Sequence, residues 1–358
     1  MKSVYKGNHD WERIARRIVH PQAVALVIGS SDTGKTTFCR FLVEQGVSQG
    51  LRVGLVDADV GQSLIGPPTT IGLKVLSQIP DWNEIEADNL YFVGWISPEG
   101  HLLRCITGVR LMVDAALSAG ANFVVIDTTG YVKGVGAIKL KQHKIEIVKP
   151  RHLVCIQHSG ELEAIISGFD ASHSMKIYRL SPHHAATSKT SKFRRQYREN
   201  RVNRYFSETV GALLPFDQFR GQGAPFFAGR RANRKELEIL SDLANGQVFY
   251  GEWGHRTLTL VSQSVLSDYA RSQIKSRLSL TNLVSRTPEY FERRFVGLVD
   301  GNGELISVGI IQAADFETNH LKVRCKLGTS NHTKIVQFGR YKHECVNGGK
   351  ESTARAVD

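Results

Sequence analysis

The sequence predicts an α/β fold in which helices cover both faces of a mostly parallel sheet, followed by a smaller, mostly β C-terminal domain. Short apolar segments alternate with segments of helical periodicity from about residue 21 to residue 245, and this alternation is typical of a parallel sheet. Polar residues follow several of the apolar segments, at positions where α/β sheets place their chemistry. From about residue 246 the segments become β-rich.

The composition indicates a folded, basic protein. Its 358 residues are 41% hydrophobic, enough for one large core and a smaller second one. The net charge of +12 suggests a polyanionic partner, either nucleic acid or an acidic membrane surface. The five cysteines form no C-x-x-C pair, which argues against a disulfide framework or zinc ribbon. Because neither a signal peptide nor a membrane-spanning apolar run is visible, we expect a soluble, cytoplasmic protein without a membrane partner.

The chain begins with a short helical pattern over residues 10–19, in which Trp11, Ile14 and Ile18 share one face. An apolar strand over residues 24–28 then leads into a complete phosphate-binding loop. Its glycines let consecutive N–H groups point at phosphate oxygens, and the following helix adds its positive end. A glycine-rich turn that binds nothing would leave the lysine and threonine unexplained. The nucleotide-binding candidates are Gly29, Ser30, Ser31, Asp32, Thr33, Gly34, Lys35, Thr36 and Thr37.

Within this loop two side chains have specific expected partners. Lys35 is expected to reach the β/γ-phosphates, and the Thr36 hydroxyl is placed to hold Mg²⁺, which prefers oxygen ligands.

The sequence predicts a P-loop NTPase domain over residues 21–245, after an N-terminal extension over residues 1–20. The mostly β domain spans residues 246–346, and a polar tail over residues 347–358 is expected to be disordered.

Acidic residues follow two further apolar strands. The strand at residues 52–56 ends in Asp57 and Asp59, and alternation along a strand points both carboxylates the same way. One is expected to bind the water shell of the metal and the other to meet the substrate. Asp127 follows the strand at residues 122–126, in the Walker B position, and competes with the other two acids for Mg²⁺.

Two other strands complete the predicted sheet. Residues 67–70 look like a loop, residues 90–94 like the third strand, and residues 152–156 like the fifth strand after a lysine-rich segment. His101 begins a helical pattern between the third and fourth strands. A histidine in that position is more often a cap or packing residue than a catalyst.

An arginine-rich segment follows over residues 189–204, with seven basic residues and one acid, Glu199. Helical spacing places Arg194, Arg198 and Arg201 on one face. Such a segment is commonly a solvated basic helix. Beside a nucleotide site, however, mobile arginines stabilise charge on a transferring phosphoryl group, so we interpret it as a lid over about residues 189–206.

The C-terminal part reads as strands at residues 247–250, 257–261, 294–299 and 305–311, with a hairpin turn at residues 300–303.

Four elements together resemble the polynucleotide 5′-hydroxyl kinases of pre-mRNA 3′-cleavage, tRNA splicing and ribosomal-RNA processing, and their minimal archaeal and bacterial homologues. They are the phosphate loop, the Asp57-x-Asp59-x-Gly61-Gln62 segment, the Thr128-x-Gly130-Tyr131 segment and the arginine helix. Residues 92–101 and the closing hairpin extend the resemblance over most of the chain. No large domain precedes the loop, unlike in eukaryotic members.

The resemblance implies ATP and Mg²⁺ as cofactors and a 5′-hydroxyl RNA or DNA end as the acceptor. It implies catalytic roles for Lys35, for Asp59 as the base, and for Arg194 and Arg198 as the lid. Gln62 would set the substrate end, and Thr128, Thr129, Gly130 and Tyr131 would form a clasp on the terminal base. Tyr131 stands where the family has tryptophan. The metal candidates are Thr36, Asp57 and Asp127, and which of Asp57, Asp59 and Asp127 is the base and which holds the metal is left open.

The main alternative is a P-loop switch or chaperone that hydrolyses ATP or GTP without transfer, because Asp127-Thr128-Thr129-Gly130 also fits a GTPase γ-phosphate sensor. The chain has no Asn-Lys-x-Asp guanine reader. A nucleic-acid-binding module that uses ATP only structurally would not need paired acids at a strand end. A small-nucleoside kinase would not need the charge of +12, which suits a longer polyanion.

Overall fold

The computed structural model describes residues 9–183 and 186–343. The predicted tail over residues 347–358 lies outside the described residues. The chain divides into two compact units, Met1–Tyr205 and Phe206–Asp358. Among the described residues, no helix is both long and apolar enough to cross a membrane.

The first unit alternates strands and helices, and its last helix ends at the boundary. Its elements are α1 (His9–Ile18), β1 (Ala23–Gly29), α2 (Lys35–Ser48), β2 (Val53–Ala58), β3 (Thr70–Leu76), β4 (Asn89–Phe92), α3 (Leu102–Ser118), β5 (Phe123–Thr128), α4 (Val135–Val148), β6 (His152–Ile156), α5 (Glu163–Ile166), a 3₁₀ turn at Ser167–Phe169, β7 (Lys176–Leu180) and α6 (Ser191–Phe206).

These strands form one seven-stranded sheet in the order β4-β3-β2-β5-β1-β6-β7. Five neighbouring strands of this sheet are parallel to one another, namely β2, β5, β1, β6 and β7. Asp57 on β2 lies opposite Asp127 on β5. Parallel strands bring their carboxyl ends to one edge of the sheet. The phosphate loop, the segment after β2 and the segment after β5 therefore leave the sheet side by side, and the predicted fold class is confirmed.

Strand β4 corresponds to the predicted third strand at residues 90–94, whereas β3, which lies between β4 and β2, was not predicted. Both are antiparallel to their neighbours, and β3 begins at Thr70, the last residue of the predicted loop. Local sequence gives little sign of β3, because Gly72 interrupts it and Pro67 precedes it. The strand forms because it pairs with the open edge of β2, where Gly72 lies opposite Asp57.

Helices cover both faces of the sheet. Residues of α1 and α2, including Trp11 and Phe38, pack into one apolar cluster with one face of the sheet. Residues of α3 and α4, including Val109 and Leu140, pack into a second cluster with the opposite face. The apolar strands are buried from both sides for this reason, as their uninterrupted hydrophobic sequences indicated.

The second unit begins earlier than the sequence suggested. Its elements are β8 (Val210–Pro215), β9 (Arg220–Gln222), β10 (Arg230–Arg231), α7 (Arg234–Ala244), β11 (Val248–Gly254), β12 (Thr257–Ser262), α8 (Asp268–Arg277), β13 (Asn282–Arg286), a 3₁₀ turn at Pro288–Tyr290, β14 (Arg294–Val299), β15 (Leu305–Asp315), β16 (His320–Cys325), α9 (Thr329–His332) and β17 (Ile335–Lys342).

It contains a four-stranded sheet, β10-β11-β12-β13, and a six-stranded sheet, β8-β16-β15-β14-β17-β9. Residues 206–245, which we had assigned to the first domain, lie in this unit because β8 pairs with β16 and β9 with β17. Such long-range pairing leaves no local sequence signal. The predicted hairpin joins β14 to β15.

Candidate active site

The phosphate-binding loop connects β1 to α2, and two of its side chains donate hydrogen bonds to the same backbone carbonyl oxygen. Thr33 Oγ1 and Lys35 Nζ both donate to the Ser30 carbonyl oxygen, at 2.9 and 2.7 Å. Gly34 has a left-handed conformation, with φ of 90°, which a side chain would disfavour. The Lys35 ammonium thus contacts a neutral oxygen of its own loop. A phosphate oxygen offers this ammonium a stronger, charge-assisted partner.

Thr36 and Asp127 form a pair at the start of α2. Thr36 Oγ1 donates to Asp127 Oδ2 at 2.5 Å, and Asp127 Oδ1 is buried without a partner among the described residues. Burial raises the pKa of Asp127, and the charge of Lys35 opposes that rise. A hydroxyl and a carboxylate with an unused buried oxygen fit Mg²⁺, which takes few protein ligands and keeps several waters.

The Asp57 carboxylate accepts hydrogen bonds from the loop after β2 and does not line the cleft. Its Oδ2 accepts from Leu64 N at 2.5 Å and Ile65 N at 2.9 Å, and its Oδ1 accepts from Asp59 N at 3.0 Å. Burial, with the charge of Asp127, raises the pKa of Asp57 to about 7. Because both oxygens are occupied by backbone groups and Asp57 does not line the cleft, the structure gives no support for Asp57 as a metal ligand.

Asp59 lies just beyond β2 and does line the cleft. Its Oδ1 accepts from the N–H groups of Gly61 and Gln62 at 3.1 and 3.0 Å, whereas Oδ2 accepts none of the hydrogen bonds between described residues. The strand ends at Ala58, so the expected alternation does not continue to this residue. The two acids therefore point to different surroundings.

Gln62 stands between this loop and the arginine helix. Its Nε2 donates to the carbonyl oxygens of Gly61 at 3.0 Å and Arg194 at 3.3 Å. Its Oε1 is buried and has no partner within the described part of the chain. This oxygen is therefore an unused hydrogen-bond acceptor three residues after Asp59.

The segment after β5 supplies the opposite wall. Thr129, Gly130 and Tyr131 line the cleft, and a Cβ at Gly130 would lie 2.5 Å from the Ser31 backbone nitrogen. The segment and the phosphate loop are therefore in backbone contact. Thr128 does not line the cleft, because it is buried and its hydroxyl donates to the Val27 carbonyl at 2.8 Å. Its predicted contact with substrate has no support in this geometry.

The arginine helix α6 contributes two residues, Arg194 and Arg198, to the lining of the cleft. Arg194 donates to Asp32 Oδ2 at 2.5 Å, and Arg198 lines the cleft without an ion-pair or hydrogen-bond partner among the described residues. Arg201 is the exception to the predicted basic face. It donates to the carbonyl oxygens of Leu64 and Gly66, at 2.6 and 3.1 Å, and so anchors the helix.

Together these residues enclose a cleft of about 590 Å³, a volume suited to a nucleotide. The cleft unites predicted residues from the phosphate loop, the acidic loop, the segment after β5 and α6. Gly29, Ser30, Thr33, Asp57, Asp127 and Thr128 lie outside its lining. His101 is likewise absent from the lining and stands at the N-cap of α3.

Sequence reasoning missed several lining residues, namely Ile96, Ser97, Pro98, Ala186 and Thr187, whereas Lys189 belongs to the predicted lid. The first three belong to a segment that the resemblance already included, but no chemical pattern marked them. They reach the cleft because the carbonyl of Ile96 packs against Gly61, where a Cβ would lie 2.6 Å from that oxygen.

Fold and site define a P-loop protein in which an acidic residue and two arginines of α6 line one cleft with the phosphate loop. A family model described as the mRNA cleavage and polyadenylation factor CLP1 P-loop matches residues 29–208. The chain belongs to this family.

Similar proteins extend the match over most of the chain. It is 29% identical over 324 residues to a polyribonucleotide 5′-hydroxyl-kinase of Methanocaldococcus jannaschii, covering 88% of this chain and 86% of that protein. It is 29% identical over 342 residues to a polyribonucleotide 5′-hydroxyl-kinase of Pyrococcus furiosus, covering 94% and 93%. The solved wild-type Clp1p–Pcf11p complex has the same fold, with a TM-score of 0.62 at 11% identity, covering 93% of this chain and 79% of that one.

Proposed function

We propose that this protein transfers the γ-phosphoryl group of ATP to the 5′-hydroxyl end of a polynucleotide, RNA or DNA. One observation carries the proposal: Lys35, Asp59 and Arg198 line the same cleft, so a phosphate loop, a candidate base and a lid arginine face one volume. The relatives named polyribonucleotide 5′-hydroxyl-kinases, which match at nearly full length, support the same activity.

The donor side of the proposed reaction uses the phosphate loop. Backbone N–H groups of the loop and the start of α2 bind the phosphates of ATP, and Lys35 exchanges the Ser30 carbonyl for a phosphate oxygen. Thr36 and Asp127 would hold Mg²⁺, with Asp127 Oδ1 free to accept from its water shell. The ion supplies charge neutralisation on the phosphates when it is bound.

The acceptor side uses the loop after β2. Asp59 takes the proton of the 5′-hydroxyl, since its Oδ1 is held by two N–H groups while Oδ2 stays available. Gln62 orients the hydroxyl through its unused Oε1. The Tyr131 ring lines the cleft at the end of the opposite wall, where it can stack on the terminal base.

The lid arginines act on the group in transit. Negative charge on the transferring phosphoryl is spread over its equatorial oxygens, and guanidinium groups stabilise it in the transition state. Both arginines line the cleft, and Arg194 would exchange Asp32 for a phosphate oxygen. The cytoplasmic location expected from the sequence stays a prediction.

The test is a transfer assay. The purified protein is incubated with γ-labelled ATP and Mg²⁺, together with matched RNA and DNA oligonucleotides that end in a 5′-hydroxyl. The same oligonucleotides with a 5′-phosphate are the control. We expect label on the 5′-hydroxyl ends only. Release of labelled phosphate without labelled oligonucleotide would instead identify a switch or chaperone NTPase.

A further inference from the structure

Helix α4 carries two lysines that are fully buried. Lys141 and Lys144 both have 0% of their surface exposed, three positions apart on the helix. Burial of an ammonium group is unfavourable, and here it lowers the pKa of both side chains, that of Lys141 to well below its ordinary value. Two such residues beside an active site need a physical reason.

Among the described residues, only one of the two ammonium groups has hydrogen-bond partners. Lys141 Nζ donates to Thr128 Oγ1 at 2.8 Å and to the Thr129 carbonyl oxygen at 2.7 Å. Thr128 Oγ1 in turn donates a hydrogen bond to the Val27 carbonyl oxygen at 2.8 Å. Lys144 Nζ, by contrast, has no hydrogen-bond partner among the described residues. Lys141 therefore connects α4, the end of β5 and the end of β1.

The bonds of Lys141 fall on the segment that forms one wall of the cleft. The chain leaves β5 at Thr128, and Thr129 through Tyr131 cross the phosphate loop with Gly130 in backbone contact with Ser31. The Thr129 carbonyl oxygen accepts its hydrogen bond from Lys141 of α4. Without the amine this buried carbonyl loses its partner, and such groups are costly to leave unpaired.

We propose that Lys141 is a positioning residue that holds Thr129–Tyr131 against the phosphate loop and thereby sets where the terminal nucleotide of the acceptor binds. It does not line the cleft, so it acts through the segment and touches neither ATP nor acceptor. This role rests on the polynucleotide kinase activity proposed above. Its loss should impair the acceptor side selectively, because Lys35, Thr36 and Asp127 have their own contacts.

The chain offers a matched pair of variants for the test. Lys141→Met and Lys144→Met each replace a buried amine on the same helix with an apolar side chain of similar length. Amide hydrogen exchange over residues 128–133 is measured without substrates. The apparent KM for 5′-hydroxyl oligonucleotide, kcat and the Kd for ATP follow. For Lys141→Met we expect at least tenfold faster exchange and a KM raised at least fivefold, with ATP affinity within twofold of wild type.

Lys144→Met should match the wild-type protein in all four measurements. Equal exchange and equal KM for the two variants would overturn the proposal, as would a parallel loss of ATP and oligonucleotide binding in Lys141→Met. If Lys141→Met does not fold, Lys141→Leu replaces it, because it also removes both hydrogen bonds of the amine. Wild-type exchange in folded Lys141→Leu would then overturn the proposal. The exchange measurement does not depend on transfer, so a wild-type protein without transfer activity would refute the kinase proposal separately.

Discussion

Arg194 of the arginine helix donates to Asp32 of the phosphate-binding loop at 2.5 Å, and the backbone N–H of Lys189 donates to the same carboxylate oxygen at 3.0 Å. The Asp32 side chain is 15% exposed and the Arg194 side chain 34%, so the ion pair is only partly shielded from solvent. The contact places the Arg194 guanidinium at the phosphate loop itself. A phosphate group that enters the loop is a second anion within reach of the same arginine.

We predict that Arg194→Ala lowers kcat by about 10²-fold or more and changes ATP affinity much less. The guanidinium acts where charge develops in the transition state, and removal of one such donor typically costs about 10²- to 10³-fold in rate. Transfer kinetics and ATP titration measure the two effects. Arg195→Ala is the control, because Arg195 pairs with Glu199 on its own helix at 3.1 Å. Similar losses in both variants would mean that general surface charge is responsible.

Lys35→Ala is expected to abolish transfer while the melting temperature stays near that of the wild type. The ammonium of Lys35 has the Ser30 carbonyl as its hydrogen-bond partner, so the fold loses one such contact. Labelled transfer and thermal unfolding are compared on the same preparation. Normal transfer by the folded variant would contradict the assigned role of the phosphate loop.

The two acids after β2 should respond differently to the same change. Asp59→Asn is expected to lower kcat by about 10²- to 10⁴-fold with ATP binding retained, because a proton acceptor is lost. Asp57→Asn should lower the melting temperature, since an amide in place of Oδ2 would present N–H groups to the N–H groups of Leu64 and Ile65. Kinetics and unfolding of both variants check this. A stable Asp57→Asn protein with no activity would make Asp57 the base.

Tyr131→Ala is predicted to raise the oligonucleotide KM and leave ATP affinity nearly unchanged. Base stacking on an aromatic ring contributes about 1–3 kcal/mol, which corresponds to about 5- to 150-fold. Tyr131→Phe keeps the ring and is the matched control, and Tyr131→Trp should preserve or improve affinity. The hydroxyl lies beside Gly136, where a Cβ would be 2.9 Å from it. If Tyr131→Ala only lowers the melting temperature, the ring is a packing residue.

The stability of the first unit should fall with acidification through His152. Burial and the neighbouring His20 lower the pKa of His152 to about 4. The pKa of an unfolded histidine is about 6.5, so between about pH 6.5 and pH 4 the unfolded chain binds a proton at His152 that the folded protein does not bind. Stability is therefore present above about pH 6.5 and is lost as the pH falls toward 4, by up to about 3 kcal/mol.

Urea unfolding at pH 7 and pH 5 measures this loss, and His152→Gln should reduce it. His143→Gln is the control variant and should leave the loss unchanged, because His143 lies on the surface beside Glu146. A pH dependence that is the same in wild type and His152→Gln would assign the effect to other groups.

The sequence alone determined the features that depend on neighbouring residues. An apolar strand followed by Gly29 to Thr36 forms a phosphate loop through local backbone geometry, and the structure has β1 and α2 on either side of it. The fifth predicted strand coincides with β6 (His152–Ile156), since an uninterrupted apolar run is buried on both faces in a parallel sheet. The fold class followed from this alternation.

Tertiary structure alone decided which side chains share a surface and which backbone groups they satisfy. Asp57 and Asp59 look equivalent in sequence, but the chain after Ala58 turns back and its N–H groups occupy Asp57. Lys141 looks like one more surface cation, yet it is buried and bonded to the segment after β5. β8 belongs to the second unit only because a strand more than a hundred residues later pairs with it. Pairings between distant segments arise on folding, from the need to satisfy buried polar groups, and no local pattern records them.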